Sequence, residues 1–97
     1  MDISVSELRD RQQKGEENLI IIDVREGHER AEFNIGGEHI PLGDLQTKLE
    51  DLEDYKDKEV IVYCRSGNRS GMACQLLQQA GFTNARNLTG GMLAWNG

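Results

Sequence analysis

The chain has 97 residues, 37% of them hydrophobic, and it carries a formal net charge of −6 with a sequence pI near 4.8. This length fits one domain, residues 1–97, with a single modest core. An acidic chain lacks the broad positive field that binding to nucleic acid or to an anionic membrane requires, so any anion site must be local.

The first half of the chain predicts two helices and a buried strand. Ser4 and Glu7 have the spacing of a capping box, which predicts a helix over residues 5–13. Residues 19–22 form an unbroken apolar run, typical of a strand covered on both faces. A short helix is predicted over residues 26–33. Its charged side chains are expected to face outward: Glu29, Arg30 and Glu32.

The middle of the chain is more polar. Pro41 interrupts the apolar residues 40–42, which predicts an edge strand or a turn there. Asp44 is placed to cap a helix that runs to about Leu52, with the leucines on one stripe. The charge-rich residues 50–59 are interpreted as a solvated face and loop.

The second half predicts a strand over residues 60–63, a polar loop, and a helix over 69–80 that Gly81 ends. A last strand lies within residues 82–88, and a closing helical turn follows Gly90 and Gly91. The predicted apolar face of the long helix consists of Met72, Ala73, Leu76, Leu77 and Ala80. Strands that alternate with helices predict an α/β domain with a mainly parallel sheet.

Cys64 stands where the predicted central strand meets the loop, just before a helix. Loop N–H groups and a helix N-terminus stabilise an anion, and Arg65 and Arg69 flank the sulfur. We therefore hypothesise that Cys64 is a reactive thiolate near neutral pH. The alternative is a small buried hydrophobic residue at the end of a strand.

Other chemically capable residues are given structural roles. Asp23 also ends a strand, so it would lie near Cys64 if the two strands are neighbours, but we favour a role as a helix cap or hydrogen-bond anchor. His28 and His39 are interpreted as exposed or satisfied. Cys74 falls off the predicted apolar face and is interpreted as a bystander, with a resolving role toward Cys64 as the alternative.

Cysteine usage and polarity also bear on location. Ten positions separate the two cysteines, a spacing that predicts neither a disulfide framework nor paired metal ligands, and no metal or organic cofactor is implied. No apolar run reaches transmembrane length and residues 1–10 are too polar for a signal peptide, which predicts a cytoplasmic protein. Alternatively, the chain is one module of a longer protein.

Three stretches of the chain stand out by their order and spacing. They are IIDVR at 21–25, VYCRSGNRS at 62–70, and residues 81–95, which begin Gly81-Phe82 and end in GGMLAW. Together they resemble the single-domain rhodanese family of sulfurtransferases, over nearly the whole chain. The resemblance implies a rhodanese-like α/β fold with a central parallel sheet flanked by helices.

The resemblance also implies a site and a mechanism. Cys64 corresponds to the catalytic cysteine, and the substrate-binding loop by position is Arg65, Ser66, Gly67, Asn68, Arg69 and Ser70. The implied reaction takes a sulfur from an anionic donor such as thiosulfate, or from a protein persulfide. It holds that sulfur as a Cys64 persulfide and passes it to a thiol or protein acceptor. Arg69 has two possible roles, attraction of the donor and bracing of the loop.

One segment departs from the family pattern. Members commonly have Gly-His-Ile-Pro-Gly-Ala after the first helix, whereas this chain has Asn34-Ile35-Gly36-Gly37 and is about one residue shorter there. His39 lies beyond this segment and does not inherit the role of that histidine.

Two other functions compete with sulfur transfer. The first is a sulfur carrier or regulatory binding module of a larger protein. The second is a Cys-dependent phosphatase or arsenate reductase, since the folds are similar. Four residues separate Cys64 from Arg69, where the related phosphatases have five, and the shorter loop suits one sulfur better than a phosphoryl group.

Overall fold

The computed structural model describes residues 2–97 and contains a five-stranded sheet. The strands are β1 (Asp2–Ile3), β2 (Ile20–Asp23), β3 (Glu38–His39), β4 (Glu59–Tyr63) and β5 (Asn84–Leu88). Their order across the sheet is β1-β5-β4-β2-β3, and every neighbouring pair is parallel. The α/β prediction with a parallel sheet is confirmed, and β4 is the central strand.

The helices cover both faces of the sheet. They are α1 (Val5–Gln13), α2 (Gly27–Glu32), α3 (Asn68–Gln79) and α4 (Gly91–Trp95). One side of the core joins α3 to alternate strand residues such as Val60 and Val62, and the other contains Leu8 of α1 and Met92 of α4 beside Ile61. Within residues 2–97 no helix is both long enough and apolar enough to cross a membrane.

The structure confirms the predicted start of α1 and the buried strand β2, both of which depend on residues close together in the sequence. The Ser4 hydroxyl accepts a hydrogen bond from the backbone N–H of Glu7 at 3.0 Å, so α1 begins where its cap predicts. The apolar run of β2 lies between β3 and β4, and Ile22 is fully buried. Of the two alternatives for residues 40–42, the edge strand was wrong: the edge strand β3 covers Glu38–His39, and a 3₁₀ turn begins at Leu42.

The prediction for the face of α3 was wrong in two positions. Met72 is 57% exposed, whereas Cys74 is buried in the core. The buried stripe is Ser70, Ala73, Cys74 and Leu77. These four residues have the spacing of one helix face. Because the buried face begins at the polar Ser70, a prediction based on apolar residues alone assigns the wrong face of the helix to the core.

Other predictions in the middle and at the start of the chain also need correction. Residues Leu42–Asp44 and Gln46–Tyr55 form 3₁₀ turns rather than one α-helix, and the Asp44 side chain caps neither. Glu59 lies in β4 and forms ion pairs with Arg11 and Arg86 instead of facing solvent. Strand β1 was not predicted, because a strand of two residues has too few positions to show a period.

Candidate active site

Cys64 directly follows the central strand β4, at the carboxyl edge of the sheet. Its Sγ accepts three hydrogen bonds, from the Gly67 N–H at 3.1 Å, the Ser70 N–H at 3.4 Å and the Ser70 hydroxyl at 3.3 Å. Ser70 lies in the first turn of α3, so the positive end of this helix also faces the sulfur. The loop and the helix together form a cradle of donors around one sulfur atom.

These donors shift the ionisation of Cys64. Burial of the side chain raises the pKa of the thiol, but the hydroxyl of Ser70 and the backbone N–H groups of Ser70, Gly67 and Ser66 outweigh it, and the pKa is lowered. By contrast, burial raises the pKa of Cys74 to about 11. The pKa values of the two thiols are therefore shifted in opposite directions, although both side chains are buried.

Helix α4 holds the other side of the loop. The carbonyl of Cys64 accepts a hydrogen bond from the Met92 N–H at 3.0 Å, and the carbonyl of Arg65 accepts one from the Leu93 N–H at 2.9 Å. This approach requires a glycine at position 91, where φ is +54° and a Cβ would lie 2.3 Å from the Cys64 carbonyl oxygen. The GGMLAW stretch therefore belongs to the cradle, although it lies far along the chain from Cys64.

The Arg69 side chain is paired with α2 and braces the loop. Its guanidinium makes two hydrogen bonds to the Glu29 carboxylate of α2, at 2.7 and 2.8 Å. Hydrogen bonding to Arg69 is the main reason that the pKa of Glu29 is lowered to about 2. Of the two roles considered for Arg69, this geometry fits the brace. It also corrects the prediction for Glu29, which faces Arg69 rather than solvent.

The remaining predicted residues of the loop divide into exposed and turn-forming positions. Arg65, Ser66 and Asn68 are exposed. Gly67 has φ of +102° and precedes the first turn of α3, a conformation that glycine adopts without strain. The structure thus brings Gly67 and Ser70 to the sulfur and leaves the Arg65 side chain at the rim.

Two residues beside the cradle were missed by the sequence analysis. Asn87 of β5 donates from Nδ2 to the Gly67 carbonyl at 3.0 Å, and its Oδ1 lies within hydrogen-bond distance of the Ser70 hydroxyl. Tyr63 is fully buried, and its hydroxyl donates to the Gly36 carbonyl and accepts from the Ile35 N–H, which fixes the shortened loop. Only the strand order places Asn87 beside the residues of β4, so no local pattern predicts its role.

Asp23 has the anchoring role that the sequence favours. Its carboxylate accepts from the Arg25 side chain at 3.0 Å and from Arg30 at 3.3 Å, and it is fully buried. Arg30 is therefore turned inward, against expectation. The Nε2 atom of His39 forms a hydrogen bond with the Arg25 carbonyl oxygen at 2.7 Å. His28 is exposed.

An open cavity of about 490 Å³ lies beside the cradle. Arg65 of the loop and Glu29 of α2 line it, and Phe33, Met92 and Leu93 supply apolar surface. Phe33 and Leu93 are 42% and 54% exposed. The cavity therefore offers the Arg65 cation, the carboxylates of Glu29 and Glu32, and apolar contacts.

Comparison with known proteins identifies relatives of this arrangement. The family model described as "Rhodanese-like domain" matches residues 4–97. "Putative sulfurtransferase YtwF" of Bacillus subtilis is 44% identical over 97 residues, covering 99% of this chain and 90% of that protein. "Putative sulfur carrier protein YrkF", also of Bacillus subtilis, is 37% identical over 83 residues, which cover 84% of this chain and 44% of that protein. The solved structure "Human Single Domain Sulfurtranferase TSTD1" has a TM-score of 0.80 at 28% identity, covering 98% of this chain and 94% of that one.

Proposed function

Because the chain belongs to the rhodanese-like domain family, we propose that it is a sulfurtransferase in which Cys64 carries the transferred sulfur as a persulfide. Relatives and a solved structure that bear the name sulfurtransferase support the reaction class. The cradle around Cys64 supports the residue, because three hydrogen bonds point at its sulfur.

The first half-reaction begins from the Cys64 thiolate. Its Sγ attacks the outer sulfur of thiosulfate, a bond forms between the two sulfurs, and sulfite leaves with the electrons of the broken S–S bond. The negative charge then resides on the outer sulfur of the persulfide. In the second half-reaction a nucleophilic acceptor takes the outer sulfur and the electron pair returns to Sγ, which regenerates the thiolate.

The cradle suits this chemistry because it stabilises charge without supplying an acid. Backbone N–H groups and a helix N-terminus are fixed before the reaction, so these groups do not reorganise when the charge moves. Neither half-reaction requires proton transfer to the sulfur. Arg65, at the rim of the cavity, is placed to attract an anionic donor or an acidic partner.

Intact-protein mass spectrometry after incubation with thiosulfate tests the proposal. We expect the reduced chain to gain the mass of one sulfur atom and to lose it again on addition of cyanide. Cys64→Ser should abolish the gain, and the matched control Cys74→Ser should retain it, since the pKa of Cys74 is raised. Absence of the gain in the native chain would exclude thiosulfate as the donor.

The same sample distinguishes the competing functions. If Cys64 accepts sulfur from a protein persulfide but not from thiosulfate, the result would favour a sulfur carrier, the function that the name of YrkF gives. Turnover of an aryl phosphate would favour the phosphatase. Against the phosphatase, only four residues separate Cys64 from Arg69, and this shorter loop suits a single sulfur better than a phosphoryl group.

A further inference from the structure

The Ser70 hydroxyl lies between two acceptors. Its Oγ is 3.3 Å from the Cys64 Sγ and 2.5 Å from the Asn87 Oδ1, and Ser70 is fully buried. A hydroxyl has a single proton to donate. At any moment the Ser70 hydroxyl can therefore donate to the Cys64 Sγ or to the Asn87 Oδ1, but not to both.

The orientation of the Asn87 amide follows from its second contact. The terminal amide atom of Asn87 that faces Gly67 lies 3.0 Å from the Gly67 carbonyl oxygen, which can only accept a hydrogen bond. The same oxygen also accepts a hydrogen bond from the Gly71 N–H at 3.0 Å. The NH₂ group of Asn87 must face that carbonyl, so its oxygen must face Ser70. Asn87 is therefore a fixed acceptor for the Ser70 proton.

We propose that Asn87 is a positioning residue that holds the Ser70 proton while the Cys64 sulfur is uncharged and releases it when the sulfur becomes a thiolate. With a neutral thiol, the S–H can donate to the Ser70 oxygen while the Ser70 O–H donates to Asn87. With a thiolate, the charged acceptor forms the stronger hydrogen bond, and the Ser70 O–H turns toward the sulfur. The Asn87 oxygen then loses its donor.

The consequence for sulfur transfer rests on the proposed function. When the persulfide forms, the charge moves to the outer sulfur and Sγ becomes a neutral bonded atom, so the Ser70 proton returns to Asn87. When the acceptor removes the outer sulfur, the electron pair returns to Sγ and the Ser70 proton follows. Ser70 thereby stabilises Sγ as the leaving group of the second half-reaction.

The pH profile of Cys64 alkylation tests this inference without any sulfur donor. Asn87→Ala removes the acceptor that favours the neutral thiol, so we expect it to lower the pKa of Cys64. The acid dissociation constant should increase about fivefold, the value of one ordinary hydrogen bond. Asn87→Asp should raise the pKa, because a carboxylate holds the Ser70 proton more strongly and repels the thiolate.

A double-mutant cycle separates this role from general support of the loop. Ser70→Ala should raise the pKa of Cys64, and adding Asn87→Ala to it should produce no further shift, because Asn87 acts through the Ser70 hydroxyl. Asn84→Ala, on the same strand but at the end that pairs with Glu59, is the matched control and should leave the profile unchanged. Thermal unfolding of each variant shows which of them are folded.

The charged groups around the sulfur are common to all of these variants except Asn87→Asp. Arg65 adjoins Cys64, and Arg69 of α3 is paired with Glu29 of α2. On the neighbouring strand Asp23 is paired with Arg25, and α4 contains no charged side chain. A rise in the pKa on Asn87→Ala, or a fall of equal size in the Ser70→Ala background, would overturn the inference. Because alkylation needs no sulfur donor, neither result depends on the proposed reaction.

Discussion

Gly91 fixes the loop at Cys64 from a distant part of the sequence. Its backbone approaches so closely that an added Cβ would lie 2.3 Å from the Cys64 carbonyl and 2.7 Å from the Arg65 carbonyl. Its φ of +54° is also unfavourable for other residues. Both effects act on the same backbone that positions the sulfur.

We predict that Gly91→Ala destabilises the fold by about 3 kcal/mol, from backbone strain and overpacking together. It should also slow Cys64 alkylation at neutral pH, because displacement of the loop weakens the hydrogen bonds to the sulfur. Urea unfolding and alkylation rates measure the two effects. Gly43→Ala is the control, because its Cβ would meet no atom within 4 Å and its φ is not positive. Equal behaviour of the two variants would contradict this role for Gly91.

At the scale of elements, one ion pair connects two helices at the site. Arg69 of α3 and Glu29 of α2 form a bidentate contact with side chains 33% and 20% exposed. Because the pKa of Glu29 is lowered to about 2 in the folded protein, its contribution is complete above its ordinary value of 4.5. The contribution is lost as the pH falls from about 4.5 to about 2.

We predict that Glu29→Gln lowers the free energy of unfolding by about 1 kcal/mol at pH 7, within the range for partly exposed charge-assisted pairs. The difference from the native chain should shrink as the pH falls and should vanish near pH 2. Urea titrations at a series of pH values measure it, with Glu32→Gln of the same helix as the control. A difference that persists unchanged at pH 2 would show that the ion pair is not its source.

Elements with local signals were predictable, and those that depend on tertiary partners were not. The Ser4 cap and the apolar runs of β2 and β4 each consist of residues close together in the sequence, so the bounds of these elements were predicted to within one residue. The hydroxyl of Ser70 is tolerated in the core because Cys64 or Asn87 accepts its hydrogen bond, and no helical pattern contains that information. The cysteine and the loop were thus predictable from a motif, whereas Asn87 and Glu29 required the strand order and helix packing.

Across the whole molecule, stabilising charges and the proposed chemistry lie at opposite ends of β4. Glu59, at the start of the strand, accepts hydrogen bonds from Arg11 of α1 and Arg86 of β5. Cys64 follows the other end. The ion pairs around Glu59 join a helix and two strands, so they contribute to stability at a distance from the sulfur.

We predict that Glu59→Ala destabilises the protein by about 2 kcal/mol, because it leaves Arg11 and the largely buried Arg86 without this partner. The pH profile of Cys64 alkylation should not change below the unfolding temperature. Thermal unfolding and alkylation are the two measurements, and Glu53→Ala, which removes an exposed pair with Lys56, should have little effect on either. A shift of the alkylation profile in Glu59→Ala would show that the two ends of the strand are coupled.

The packing of α4 has one more consequence. Trp95, the only tryptophan of the chain, lies on this helix, and the Arg9 guanidinium lies 4.5 Å from the centre of its ring. The N–H groups at the other end of the same helix hold the carbonyls of Cys64 and Arg65. The loop and the indole are thus joined through one short helix, and indole emission depends on the distance to a neighbouring cation. Under the proposed function, we therefore expect the loading and unloading of Cys64 to change the intrinsic fluorescence of Trp95, which stopped-flow mixing with thiosulfate would measure without a label.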